Sequence, residues 1–406
     1  MHYDIIIWGA TSFVGQYINE YFVKGENSNT DLKIALAGRD LEKLQHLRSE
    51  LNNPDIELFV GDAHDEDFLN SLISKTRLIL STVGPYGLYG ETLLKVCVEQ
   101  GKDYCDLTGE PQWIRAMLDK YEQRALETGA RILHCAGFDS IPSDLGVLFL
   151  QQKSQELYGS PCKQIRYRFR ASKGGISGGT IASVVNALQS IKRHPQQARI
   201  LKTPYALIKN KSNSLPYQKS VNSVVKDRQT GEFLAPFVMA SINTKVVHRT
   251  QYLMSYPWGE SFLYDESMVM GKGLKGGLKA TILTSGLALF AVACSFDWSR
   301  RLLQRFVLAK PGEGPDEFLV RNGFFNIQLI GHHKSKKRLF VRITGKGDPG
   351  YGSTSKMISE TATLLLATNK ESTGVGFLTP AAALGHGLIQ HLSDHAELNF
   401  KIEKVE

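Results

Sequence analysis

The earliest candidate chemistry in the chain lies in "GATSFVG", residues 9–15, directly after the apolar run "YDIIIW". Gly9 can turn the backbone tightly without a Cβ, and Gly15 can let a following helix pack close to a sheet. Between them Ala10, Thr11, Ser12, Phe13 and Val14 form a helix start. Its unpaired N–H groups and positive dipole end suit a pyrophosphate. Ser12 stands where such turns place a middle glycine, and its hydroxyl is a candidate phosphate donor. A dinucleotide is the first expectation, and an ordinary strand-to-helix turn is the alternative.

The next apolar run ends in "AGRD". NAD-selective sites usually place a carboxylate there for the ribose hydroxyls, whereas the guanidinium fork of Arg39 matches a 2′-phosphate. NADP(H) is therefore expected. NAD(H) is kept as the lesser reading by Asp40, one position on. Asp62, closing "VGD", is placed for the adenine edge, and Val83, Gly84 and Pro85 of "VGPYG" for the nicotinamide half. A hydride-transferring reductase also needs a proton source. Tyr86, Asp106 and Asp139 are the catalytic candidates, with Tyr89, Thr108, Glu110 and Ser140 as neighbours. Tyr86 leads, as proton donor or acceptor-positioning group, with an aromatic shelf against the nicotinamide as its other reading. Carboxylates in such turns also commonly cap backbone, which is the competing reading of Asp106 and Asp139. His134 reads as a core histidine. The Tyr205/Lys209 spacing in "YALIK" falls too late in the chain for a short-chain-dehydrogenase pair.

These residues need a scaffold that gathers strand ends. "DLKIALAGR", "IELFVGDAHD", "RLILSTVGP", "KDYCDLTGE" and "ARILHCAGF" repeat the apolar character of the first run, and amphipathic stretches alternate with them. Alternation at this spacing predicts a Rossmann-type doubly wound parallel sheet over residues 1–145, in the α/β class. Ligands of such sheets bind at the carboxyl ends of the strands.

With "GATSFVG", "LAGRD", "STVGPYGLYGETLLKVCVEQGKDYCDLTGE" and "HCAGFDSIPSDLG", the chain resembles the saccharopine dehydrogenase-like oxidoreductases. It is most similar to the branch of trans-acting enoyl reductases and lipid-associated animal homologues. "KGGISGGT", "GKGDPGY" and "LTPAAALG" extend the resemblance over nearly the whole length. It implies an NADP-dependent reductase with a second α+β domain after the nucleotide-binding sheet. That domain is expected over 146–350. Helices over 351–406 are expected to return towards the first domain.

In this second half "QIRYRFRAS" reads as a strand with one solvated face, and Thr180 as the cap of a helix running to residue 194. Residues 323–347 read as a hairpin turning at "HHKSKK". The run 280–296 holds 17 residues without a charge, with Lys272, Lys275 and Lys279 before it and Arg300, Arg301 and Arg305 after it. It reads as a buried core or homodimer-interface helix, a peripheral lipid contact, or a membrane span.

The five cysteines are scattered without zinc-ligand spacing, so no metal is expected. The start lacks the basic and long apolar regions of a signal peptide, which predicts a cytoplasmic protein, with membrane contact through 280–296. The net charge of +8 favours anionic partners, but no aromatic-basic recognition motif accompanies it and nucleic acid is not expected. Three functions follow: an NADPH-dependent reductase of an enoyl or carbonyl group in a lipid- or polyketide-like acyl substrate, a saccharopine-type imine dehydrogenase, or a non-catalytic lipid-associated protein.

Overall fold

A computed structural model describes residues 2–25, 32–175, 195–209, 214–296, 299 and 314–406. Its first strands are β1 (Tyr3–Trp8), β2 (Ile34–Gly38), β3 (Glu57–Val60), β4 (Thr76–Ser81), β5 (Asp103–Asp106) and β6 (Arg131–Leu133). Ile5, Ile6 and Ile7 are all fully buried, so β1 is covered on both faces. Helices over Phe13–Lys24, Leu41–Glu50, Glu66–Ser74, Glu91–Glu99 and Pro111–Thr128 alternate with these strands. Asp40 and Asp65 cap two of them by accepting the N–H groups of Lys43 and Phe68.

The second layer begins with β7 (Gln164–Lys173), β8 (Val225–Lys226), β9 (Glu232–Ala235) and β10 (Leu263–Lys272). It continues with β11 (Phe324–His332) and β12 (Arg338–Lys346), which pair antiparallel as the expected hairpin. β13 (Gly376–Leu378) and β14 (Leu398–Val405) complete the set. The chain thus builds two seven-stranded sheets, ordered β13-β6-β5-β4-β1-β2-β3 and β14-β12-β11-β7-β10-β9-β8. The first is parallel throughout and the second mixed, as the α/β class with an α+β partner requires.

The last fifty-odd residues are not a separate layer. β13 extends the parallel sheet beside β6, and β14 edges the mixed sheet beside β12. One apolar core runs from Ile5 and Ile7 through the helix Ile141–Tyr158 to Leu329 and Ile343. Each such buried aliphatic side chain contributes about 1.5–3 kcal/mol. Gly146 lets that helix approach the mixed sheet, because a Cβ there would lie 2.5 Å from Ile343 Cδ1.

The expected helix behind Thr180 and the basic residues Arg300, Arg301 and Arg305 lie outside the described residues. The apolar run belongs to a helix over Gly273–Ser295, and the buried-core reading is corrected. Ala280 and Cys294 are buried, but Leu274, Leu278, Ile282, Leu289 and Val292 are all more than half exposed.

Candidate active site

Gly9 ends β1 in the left-handed region at φ 89°, and a Cβ there would lie 2.6 Å from Val83 Cγ2. A side chain at Gly15 would meet the Gly9 carbonyl at 2.5 Å. The turn is therefore closed to any larger residue at either position. Ser12 caps the helix Phe13–Lys24, accepting the Gly15 N–H at 3.0 Å, and its hydroxyl lies 2.8 Å from Thr82 Oγ1. Thr82 in turn donates to the Gly9 carbonyl at 2.9 Å. The Ser12 hydroxyl, expected as a phosphate donor, is thus engaged in holding the turn together. Thr82, at the end of β4, is a site residue that sequence reasoning missed. Its position beside "VGP" was the available signal.

Ala10 is buried, with its N–H on the Ala37 carbonyl. No hydrogen bond among the described residues takes the N–H groups of Thr11, Phe13 or Val14. A dense cradle of glycines with three free donors at a helix start fits the diphosphate of a dinucleotide. The Phe13 ring packs edge-on against Tyr351, with centroids 4.8 Å apart, and against Gly314. The distant "GKGDPGY" stretch thereby reaches the first helix.

Past β2, Arg39 is exposed and has no hydrogen bond or ion pair among the described residues. Asp40 beside it is engaged, with its carboxylate on the Lys43 N–H at 3.1 Å. Asp62 is exposed after β3 and accepts the His64 N–H at 2.9 Å. Val83 packs on Gly9, while Gly84 and Pro85 follow at the rim, joined by a cis peptide bond.

The three catalytic candidates separate sharply. Tyr86 is buried, its hydroxyl donating to the Ser81 carbonyl at 3.0 Å and accepting the Leu107 N–H at 3.1 Å. Burial and the nearby Asp106 carboxylate push its pKa well above the usual tyrosine range. Its leading role as proton donor is corrected: the phenol ties β4 to the turn after β5, and its ring packs on Trp113 rather than forming an open shelf. Asp106 is fully buried. It accepts the Thr108 and Cys135 N–H groups at 3.1 and 3.2 Å and lies 2.7 Å from His134 Nδ1. Its catalytic reading is likewise corrected, because its carboxylate is spent on the turn after β5 and on the end of β6. Glu110 clasps the Tyr86 and Gly87 N–H groups at 2.8 and 3.2 Å.

Asp139, in the turn after β6, is different. It is half-buried and has no hydrogen-bond or ion partner among the described residues. Its Oδ2 faces Gly109, 3.6 Å from where a Cβ would stand, and Met239 Cε lies on the same spot at 3.7 Å. Burial alone raises its pKa to about 6. Behind it Ser140 donates to Asn243 at 2.9 Å, Asn243 donates to Glu266 at 3.0 Å, and Tyr264 donates to the same carboxyl at 2.6 Å. Asp144 accepts the Ala381 N–H at 2.9 Å and a bond from Thr250. "FDSIPSDLG" therefore fastens the two sheets together while leaving one carboxyl free. Asn243 and Glu266 lie on elements too distant in sequence for any local pattern to reveal them.

The arginines of β7 are paired. Arg168 reaches Asp265 at 2.6 Å, and Arg170 reaches Glu232 at 2.8 Å and Gln328 at 2.6 Å. A hollow of about 470 Å³ lies at the opposite, amino-terminal edge of the parallel sheet, lined by Arg77, Lys102, Asp103, Arg131 and Lys370. Arg131 is held by Asp103, and Lys102 and Lys370 donate to the Thr76 and Gly101 carbonyls, so its cations serve the fold.

Comparison with known proteins agrees with this geometry. The family model described as saccharopine dehydrogenase NADP binding domain matches residues 5–133. A putative trans-acting enoyl reductase of Mycobacterium tuberculosis is 34% identical, over 96% of this chain and 95% of the relative. A trans-acting enoyl reductase of Mycobacterium leprae is 31% identical over the same shares. Among solved structures, saccharopine dehydrogenase (L-Glu forming) of Saccharomyces cerevisiae shares the fold, with a TM-score of 0.53 at 13% identity over 98% of this chain and 100% of that one. The chain belongs to the trans-acting enoyl reductase family, as an NADP-dependent oxidoreductase of the saccharopine dehydrogenase-like group.

Proposed function

We propose that the protein uses NADPH in preference to NADH to reduce a polarised carbon–carbon double bond in an acyl substrate. The observation that carries this reading is the free, desolvated carboxyl of Asp139 at the same sheet edge as the unpaired N–H groups of Thr11, Phe13 and Val14. Those three donors would hold the diphosphate, Asp62 would take the adenine edge, and the Arg39 guanidinium would hold the 2′-phosphate. Asp40 is engaged as a helix cap through its Oδ1, which sets the guanidinium of Arg39 as the unpaired charge at this strand end. NADPH, when bound, supplies a hydride. Asp139 supplies the proton: its carboxyl releases it to the carbon next to the acyl carbonyl and is left as a carboxylate, to be reprotonated from water.

The names of the relatives support an enoyl acceptor. A saccharopine-type substrate carries several carboxylates and needs unpaired arginines, whereas Arg168 and Arg170 are already engaged. The test is NADPH oxidation against a panel of α,β-unsaturated thioesters, simple ketones and amino acid–oxo acid mixtures. The thioesters should turn over, and Asp139→Asn should cut their turnover about 10²- to 10⁴-fold while NADPH still binds. Turnover confined to the amino acid mixtures would overturn the reading.

A further inference from the structure

We propose that the helix Gly273–Ser295 lies in the plane of an anionic lipid surface, its outer face sunk among the acyl chains and both its ends on the side of the catalytic body. This rests on the helix alone and is independent of the reaction assigned above. The outer face carries Leu274, Leu278, Ile282, Leu289, Val292 and Phe296, between 53% and 95% exposed. Their spacing is that of one helical stripe. On the opposite face Ala280 and Cys294 are buried, and near the helix start Phe233 packs against Gly277. The helix is apolar on both faces and only 11% of its apolar stretch is buried, so its outer stripe meets no apolar partner among the described residues. At 23 residues it is about 34 Å long, which makes the stripe far larger than a scattered surface leucine.

Charge decides between a bilayer and a second copy of the chain. Lys272, Lys275 and Lys279 are exposed and have no ion pair among the described residues. No acidic residue occurs between Glu266 and Asp297, so a second copy packed parallel along this helix would present no carboxylate to those lysines. Anionic headgroups would, while the lysine stems lie along the apolar boundary.

Topology decides between lying and spanning. Lys272 ends β10 inside the mixed sheet, and Gly314 packs on the Phe13 ring, so both flanks are tied to one body. The intervening sequence contains Arg300, Arg301, Arg305 and Lys310. A span would oblige these four cations to return through hydrocarbon, which is costly. Lying flat carries no such cost.

The test is flotation of the full-length protein with phosphatidylcholine vesicles, with and without phosphatidylserine. The native protein should float, more strongly with phosphatidylserine. The Leu278→Ser, Ile282→Ser, Leu289→Ser, Val292→Ser variant should lose about a hundredfold or more in partitioning, with NADPH affinity unchanged as proof of folding. Failure of the native protein to float overturns the proposal, as does a dimer in light scattering that the variant converts to monomer and that does not bind vesicles. The native cysteines are all buried, so an impermeant maleimide reports single introduced thiols. With vesicle-bound protein, Ser299→Cys and Lys334→Cys should both react from outside. Reaction at position 299 only after vesicle lysis would show a span and contradict the in-plane geometry.

Discussion

The two seven-stranded sheets treat charge in opposite ways. On the mixed sheet nearly every charge that could mark a ligand is answered from another strand of the same sheet: Arg168 by Asp265, Arg170 by Glu232, Arg342 by Glu403. At the carboxyl edge of the parallel sheet, Arg39 and Asp139 are left without partners among the described residues, and so are three helix-start N–H groups. Composition does not distinguish the two regions, since both are rich in charge. Incomplete pairing does. A desolvated carboxyl without a partner is kept at a cost to stability, and such groups cluster at functional sites.

The sharpest way to break this contrast is Asp139→Asn. As the proton source, Asp139 should contribute about 10²- to 10⁴-fold to kcat, with NADPH affinity unchanged. On the proposed role the protonated form is the active one, so kcat/KM should fall as pH rises above about 6, and Asp139→Asn should flatten that limb. Gly9→Ala comes next. With φ at 89° and Val83 Cγ2 at 2.6 Å from the added methyl, NADPH affinity should fall about a hundredfold or more by direct titration.

Smaller effects sharpen the comparison. Asp139, Asp144 and Glu266 have pKa values raised to about 6, 7 and 7 by burial. The native state therefore holds more protons than the unfolded chain between about pH 4 and 7, and stability should fall as pH rises through that window. The slope in denaturant titrations approaches about 1.4 kcal/mol per pH unit for each group in transit. Tyr86→Phe should cost about 1–3 kcal/mol of stability, since it leaves the Leu107 N–H and Ser81 carbonyl unanswered. Its turnover per folded molecule should match the native value, because the phenol ties strands together and donates no proton to substrate.

What could be read from the sequence was local. "GATSFVG" and "AGRD" carry their chemistry within a few consecutive residues, and the parallel sheet announces itself by alternation. Tyr86 was misjudged because the direction of its hydroxyl depends on Ser81 and Leu107, which sit on different turns. Asp106 looked like Asp139 in sequence, each beside small residues after a strand, and only the approach of His134 and Cys135 separates them. β13 escaped notice for another reason. Three residues show no periodicity, and their partner β6 lies more than two hundred residues earlier. The apolar run 280–296 was visible, but whether anything covered it depended on tertiary packing.

The unpaired groups at the parallel edge are proposed as an NADPH site, with Arg39 reading the 2′-phosphate. The most direct measurement is a pair of titrations, NADPH and NADH, on the native protein and on Arg39→Ala. Native protein should bind NADPH more tightly, and Arg39→Ala should lose about 10- to 100-fold for NADPH alone, leaving both cofactors nearly equal. Equal affinities in the native protein, or an Arg39→Ala variant that keeps its preference, would contradict the account.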